Sequence, residues 1–191
     1  MPNSEKHPLA PFLPCGARLL MLGSFPPPRK RWSMEFFYPN LQNDMWRIIG
    51  HLATGDKLHF LNPERRFDRD RIVQFCTERG IALYDAASEV RRLMDNASDR
   101  FLEVVTPTDI EALLLQIPAC EAIVTTGQKA TDQIVEHFGC VAPAVGGWTE
   151  VAIGERRLRF WRMPSSSRAY PMRLEAKAEI YARMFGEEGY L

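Results

Sequence analysis

The chain has 191 residues, 46% of them hydrophobic and 25% charged, the size and make-up of one globular domain with a sizeable core. No apolar run nears the roughly 20 residues of a membrane span, and the opening MPNSEKHPLAPF lacks the basic-then-apolar order of a signal peptide, so a cytoplasmic location is expected. Formal net charge is zero, which on its face argues against a nucleic-acid partner, although Arg outnumbers Lys and is the cation suited to bidentate phosphate contact.

The run Arg18-Leu19-Leu20-Met21-Leu22-Gly23 is apolar throughout and stops at glycine and prolines, as a strand covered on both faces does. It leads into Gly23-Ser24-Phe25-Pro26-Pro27-Pro28, whose prolines also fit a polyproline ligand, and then into the basic cluster Arg29-Lys30-Arg31. That cluster and Arg91-Arg92 serve either phosphate contact or a solvated surface. Next comes a loop that carries Phe36, Phe37, Tyr38, Asn40, Gln42 and Asn43. Helical spacing of Met45, Trp46, Ile48, Ile49 and Leu52 predicts a helix over 44–52, and a second is predicted over 68–79, with Ile72, Val73, Phe75 and Cys76 inward and Gly80 as its cap.

Ile81-Ala82-Leu83-Tyr84 is the next buried strand, with Asp85 at its end. Thr108 and Glu111 read as a capping box for a helix running to about Ile117, before Pro118. Ala122-Ile123-Val124-Thr125 is a third strand, ended by Thr126-Gly127, and 128–138 is helical. After Gly146-Gly147, alternating runs over 148–153 and 158–163 read as a hairpin or an added edge strand followed by the last central strand. That strand runs into Met163-Pro164-Ser165-Ser166-Ser167-Arg168. Pro171 is expected to begin a terminal helix with Leu174, Ala178, Tyr181 and Phe185 on one face.

Strands alternating with helices imply an α/β fold, a mostly parallel four-stranded sheet between helical layers, with the added edge strand or hairpin beside it. No repeat, low-complexity tract or linker divides the chain, so a single domain over 1–191 is expected. Four junctions then converge at the carboxyl edge of the sheet, where ligands bind in such folds: Gly23-Ser24, Tyr84-Asp85, Thr126-Gly127 and Pro164-Ser165.

The chemistry available there is neutral and polar. None of His7, His51, His59 and His137 lies near a serine or cysteine that reads as a nucleophile elbow. Cys15, Cys76, Cys120 and Cys140 are widely spaced with no CxxC pair, so reduced thiols and no metal or iron–sulfur site are expected. Thr126-Gly127-Gln128-Lys129 places a glycine and a lysine at a helix N-terminus, which suits an anion, while a tight turn accounts for Gly127 equally well. Asp85 and Lys129 are secondary candidates that an ion pair or a helix cap would also explain. The aromatic and amide cluster over 36–43 suggests a pocket for a flat polar heterocycle, because rings stack on planar bases and carboxamides match a base edge.

The order GSFPPP, FFYPNLQNDMWRI, GIALYDAASEVRR, IVTTGQKA and RMPSSSRAY resembles the uracil-DNA glycosylase superfamily, closest to its branch of hypoxanthine- and uracil-removing enzymes. The resemblance covers about 18–185. It implies a three-layer α/β/α sandwich and a DNA glycosylase of base excision repair that needs no cofactor and hydrolyses the N-glycosidic bond of a flipped base. The better-known branches place a polar residue where Phe25 stands, and the hypoxanthine-type branch moves its role to the position of Asn43, the principal catalytic candidate. Two further departures are Thr126, where that branch often has asparagine, and Arg168 with Tyr170 in the last motif. On the same resemblance Gly23, Ser24, Phe25, Thr126 and Gly127 would contact the base. Phe37 or Tyr38 would stack on it. Pro164, Ser165, Ser166 and Ser167 would clamp flanking phosphates, with Arg168 on phosphate or in the vacated space. The alternatives are a damaged-DNA binder without activity, motivated by Phe25, and a hydrolase of free nucleosides or nucleotides, motivated by the zero net charge.

Overall fold

The computed structural model describes residues 3–94 and 101–190. In chain order, β1 (Ser4–Lys6) and β2 (Leu19–Gly23) precede α1 (Met45–Thr54), α2 (Arg69–Arg79) and β3 (Ile81–Asp85). Then come β4 (Ala87–Arg92), β5 (Leu102–Pro107), α3 (Ile110–Gln116), β6 (Ala122–Thr126), α4 (Gln128–Phe138), β7 (Gly147–Ile153), β8 (Arg156–Met163) and α5 (Leu174–Glu187).

Every residue of β2, β3 and β6 is buried, which requires cover on both faces and suits parallel pairing. The main sheet has the order β3-β2-β6-β8-β7. Its first four strands are mutually parallel and β7 pairs antiparallel with β8, so the expected four-stranded sheet is a five-stranded one with β7 as the added edge. The β2-to-β3 connection runs one way along the sheet and those to β6 and β8 run the other. Right-handed crossovers therefore put α1 and α2 on one face and α3 and α4 on the other. α5 packs on α1 and β8, where Trp46 and Tyr181 are fully buried. Among the described residues no helix is long and apolar enough to cross a membrane.

A second sheet of order β1-β4-β5, antiparallel throughout, has no counterpart among the elements predicted from the sequence. β4 buries only Ala87 and Val90, and its charged residues Glu89, Arg91 and Arg92 are half-buried. This sheet builds a small apolar cluster of Phe25, Ala87, Val90 and Leu102 beside the main core.

Two helix starts differ from expectation. α3 is capped by Asp109, whose carboxylate accepts the Ala112 N–H at 2.9 Å, while Thr108 donates to the Asp85 carbonyl at 2.7 Å and ties the helix entrance to the end of β3. α5 begins at Leu174 and not at Pro171, because the chain over 168–172 runs through turns after the serine loop is tied to the segment that opens α1. There the Asp44 N–H donates to the Ser166 carbonyl at 2.8 Å and the Arg168 N–H to the Gln42 carbonyl at 3.0 Å.

Candidate active site

Because β3, β2, β6 and β8 are parallel, the loops leaving them gather at one edge and enclose a cavity of about 100 Å³. Gly23, Ser24, Phe25 and Asp85 form one wall, and Asn43 with Ser165, Ser166 and Ser167 forms the opposite one. Phe37, Tyr38 and Thr126 also line it. Asn43, Gly23 and Ser165 thus border one space.

The strand-end wall is set by register. Gly23 and Asp85 are partners in the β2–β3 ladder, and a Cβ on Gly23 would collide with Asp85 Oδ1, so a larger residue there would displace the carboxylate. Asp85 Oδ2 lies 2.8 Å from Nε2 of His7, whose side chain is 2% exposed. The His7 ring sits 4.5 Å from the Tyr84 ring and meets Phe25 edge-on at 5.3 Å. The segment ahead of β2 therefore closes the floor behind Asp85, a role for His7 that sequence reasoning missed and that no periodicity signals. Burial, reinforced by the Asp85 charge, pushes the Tyr84 hydroxyl above its ordinary range. Arg92 is not a free surface cation: it pairs with Glu5, donates to the Pro26 carbonyl at 2.8 Å and lies over the Phe25 ring.

The serine-loop wall leaves β8 at Met163 and is held beyond it by side chains. Asn43 Oδ1 accepts the Met45 N–H at 2.9 Å, opening α1, and Asn43 forms an antiparallel backbone bridge with Ser167. From α5, Lys177 Nζ donates to the Ser167 carbonyl at 2.7 Å and lies 3.5 Å from Asp44 Oδ2, while the Tyr181 hydroxyl donates to the Pro164 carbonyl at 2.9 Å. Asp44 Oδ1 takes Nε of Arg168 at 2.8 Å, so the arginine expected on phosphate is anchored at its base. Lys177 is fully buried. Burial pushes its ammonium below the ordinary lysine range, with Asp44 opposing and Arg168 adding to the fall. Lys177 was also missed, yet it stands three residues after Leu174 and four before Tyr181, on the apolar face of the helix, and that placement is a usable signal.

Thr126 and Tyr38 are joined by a 2.8 Å hydroxyl–hydroxyl hydrogen bond. Phe37 is 3% exposed, packed edge-on against Phe36 and Tyr84, so it is a core ring that also borders the cavity. Gly127, Pro164, Arg168 and Lys129 line not the cavity but a groove of about 750 Å³ that shares Asn40, Gln42, Ser165 and Ser167 with it. That groove carries Arg31, Lys129, Arg162 and Arg168 and no carboxylate, so the zero net charge averages an uneven surface. Gly127 takes φ +125° to turn β6 into α4, and Lys129 Nζ donates to the Leu102 carbonyl at 2.9 Å. His51 and His137 are exposed on their helices. Cys76 and Cys120 are buried, which pushes the Cys120 thiol up to about 11 and Cys76 further. Among the described residues no three histidine, cysteine or acidic side chains are grouped to hold a metal ion.

Neither a protein-family model nor a curated protein matches the chain. A solved structure does: the solution NMR structure of a "putative Uracil DNA glycosylase" from Methanosarcina acetivorans superposes with a TM-score of 0.61, covering 95% of this chain and 98% of that one at 21% identity. The two chains share a fold. At that identity the likeness extends to architecture, and the roles of individual residues rest on the geometry above.

Proposed function

We propose that the protein is a monofunctional DNA glycosylase that extrudes a deaminated base, uracil or hypoxanthine, and hydrolyses its N-glycosidic bond. The observation that supports this best is the pairing of the cavity with a cationic groove. The cavity is bordered by the rings of Phe25, Phe37 and Tyr38 and by the polar groups of Asn43 and the serine loop, a lining that suits one flat polar heterocycle. Sugar and phosphates would stay outside, against Arg31, Arg162, Arg168 and the serine loop, which favours a polymeric substrate over a free nucleotide.

In such a reaction the sugar becomes oxocarbenium-like while negative charge builds on the departing base. Fixed neutral donors then stabilise the transition state without a strong acid or base. In this reading Asn43 is the catalytic residue. Its Oδ1 is oriented by the Met45 N–H and keeps a second lone pair for water, and its NH2 group serves the leaving base. The Ser24 and Phe25 backbone would meet the base edge, and Phe37 or Tyr38 its face. Asp85 supplies selectivity: an ionised carboxylate only accepts, and uracil and hypoxanthine carry a ring N–H where cytosine and adenine carry a lone pair. Gly23 lets that carboxylate approach, and His7 holds it in place.

Oligonucleotides carrying uracil, hypoxanthine or xanthine at one position, incubated with the protein and treated with alkali, test the reading. Strand scission at a deaminated base and none at cytosine or adenine is expected. Affinity for the damaged oligonucleotide without any alkali-labile site would replace catalysis with binding alone, the outcome that Phe25 in the cavity wall would then explain.

A further inference from the structure

A second groove, of about 930 Å³, lies across Arg168 from the first. Its charged lining is Arg47, Lys57, Arg65, Arg168 and Arg173 against a single carboxylate, Asp44, which Arg168 and Lys177 already engage. Lys57, Arg65 and Arg173 are exposed and, among the described residues, none of the three is ion-paired. Arg18, Arg29 and Arg91, by contrast, each sit against a glutamate. Three unneutralised cations along one groove make a local positive field that attracts a polyanion.

The backbone is shaped around this groove. The turn bearing Arg65 is closed by the Leu61–Phe67 bridge, and Asn62 fixes it by accepting the Arg65 N–H through its carbonyl and the Arg66 N–H through Oδ1. Arg65 takes φ +58°, a left-handed conformation that a side chain adopts at some energetic cost. Arg47, by contrast, is tied to the Leu41 and Asn43 carbonyls, and burial, with Arg168 next, pushes its guanidinium below the ordinary range. It belongs to the framework and not to the free set.

The two grooves share Arg168 and are separated by the segment just after the serine loop, exposed at Arg168, Ala169, Pro171 and Arg173. If one strand lies in the first groove with its base in the cavity, this segment meets the duplex where the base has left. The second strand then passes on its far side. We propose that the second groove binds phosphates of the complementary strand through Lys57, Arg65 and Arg173, making the protein a reader of duplex over single-stranded DNA. This rests on the glycosylase reading for the position of the first strand.

The test compares wild type with the triple variant Lys57→Gln, Arg65→Gln, Arg173→Gln on one uracil-containing oligonucleotide, single-stranded and annealed, over a salt series. Wild type is expected to bind the duplex more tightly. The variant should lose about tenfold or more on the duplex, with a salt slope lowered by roughly 2–3 because each phosphate contact contributes about 0.9, and change less than twofold on the single strand. Equal loss on both forms, or no loss on the duplex, overturns the proposal while leaving the cavity assignment intact. A wild-type protein that binds neither form overturns both.

Discussion

The two walls of the cavity reach similar precision by opposite means. Gly23 and Asp85 are fixed by a parallel ladder, so their spacing is that of neighbouring strands, and one remote side chain, His7, completes the wall. Ser165 to Ser167 lie beyond the ladder, and the loop is positioned from α5 by a buried lysine on the Ser166 and Ser167 carbonyls and a tyrosine on the Pro164 carbonyl, with Asp44 neutralising the lysine. The first wall is a property of the sheet, with one side chain fixing its carboxylate. The second is a property of a charge network and fails when one member is removed.

Lys177→Ala, which leaves the Asp44 carboxylate and two carbonyls without their buried partner, should cost about 3–5 kcal/mol of folding stability in urea denaturation. Removing both charges, Lys177→Met with Asp44→Asn, should recover part of that loss, and failure to recover any would mean that Asp44 does not carry the penalty. On the other wall, Gly23→Ala pushes a methyl group into Asp85 Oδ1 and should cost about 1–3 kcal/mol. Adding Asp85→Ala should restore the melting temperature but not base release. His7→Ala leaves Asp85 Oδ2 without its donor and should cost about 1–3 kcal/mol, regained in part by His7→Gln. The variants should also part in function: the His7 variant should lose discrimination between uracil and cytosine, while the Lys177 variant should lose DNA affinity. A reversed pattern would break the contrast between the walls. The smallest effect concerns the thiols. Cys15 is exposed and should label with a thiol reagent at neutral pH, whereas Cys120, with its thiol pushed up to about 11, and Cys76 should label only on unfolding.

The features legible in the sequence are those set by local pattern. The buried strands declare themselves as apolar runs ended by glycine or proline, and because parallel strands point one way, the residues just beyond them had to converge. That logic reaches Gly23, Asp85, Thr126 and Ser165 without coordinates. It cannot reach His7, which lies beside Asp85 only because β1 pairs with β4 in a sheet whose strands are too short and too charged to be read. It misplaces the start of α5 for a related reason: Asp44 holds Ser166 and Arg168, and the chain leaves them through turns before the helix begins, a tertiary constraint that overrides the local helix signal. Gly127 and Lys129 follow the end of β6 and face the outer groove, since the strand order sets the edge and the side chains decide how deep each loop sits.

The decisive measurement is single-turnover release of uracil or hypoxanthine by Asn43→Ala beside wild type, with affinity for the same oligonucleotide measured in parallel. A carboxamide held at the reactive end of the cavity predicts a fall of roughly 10²–10³-fold in release with affinity nearly unchanged, the magnitude of losing one preorganised donor. Wild-type release rates in the variant would contradict it, because the cavity would then work without the side chain that defines its chemistry.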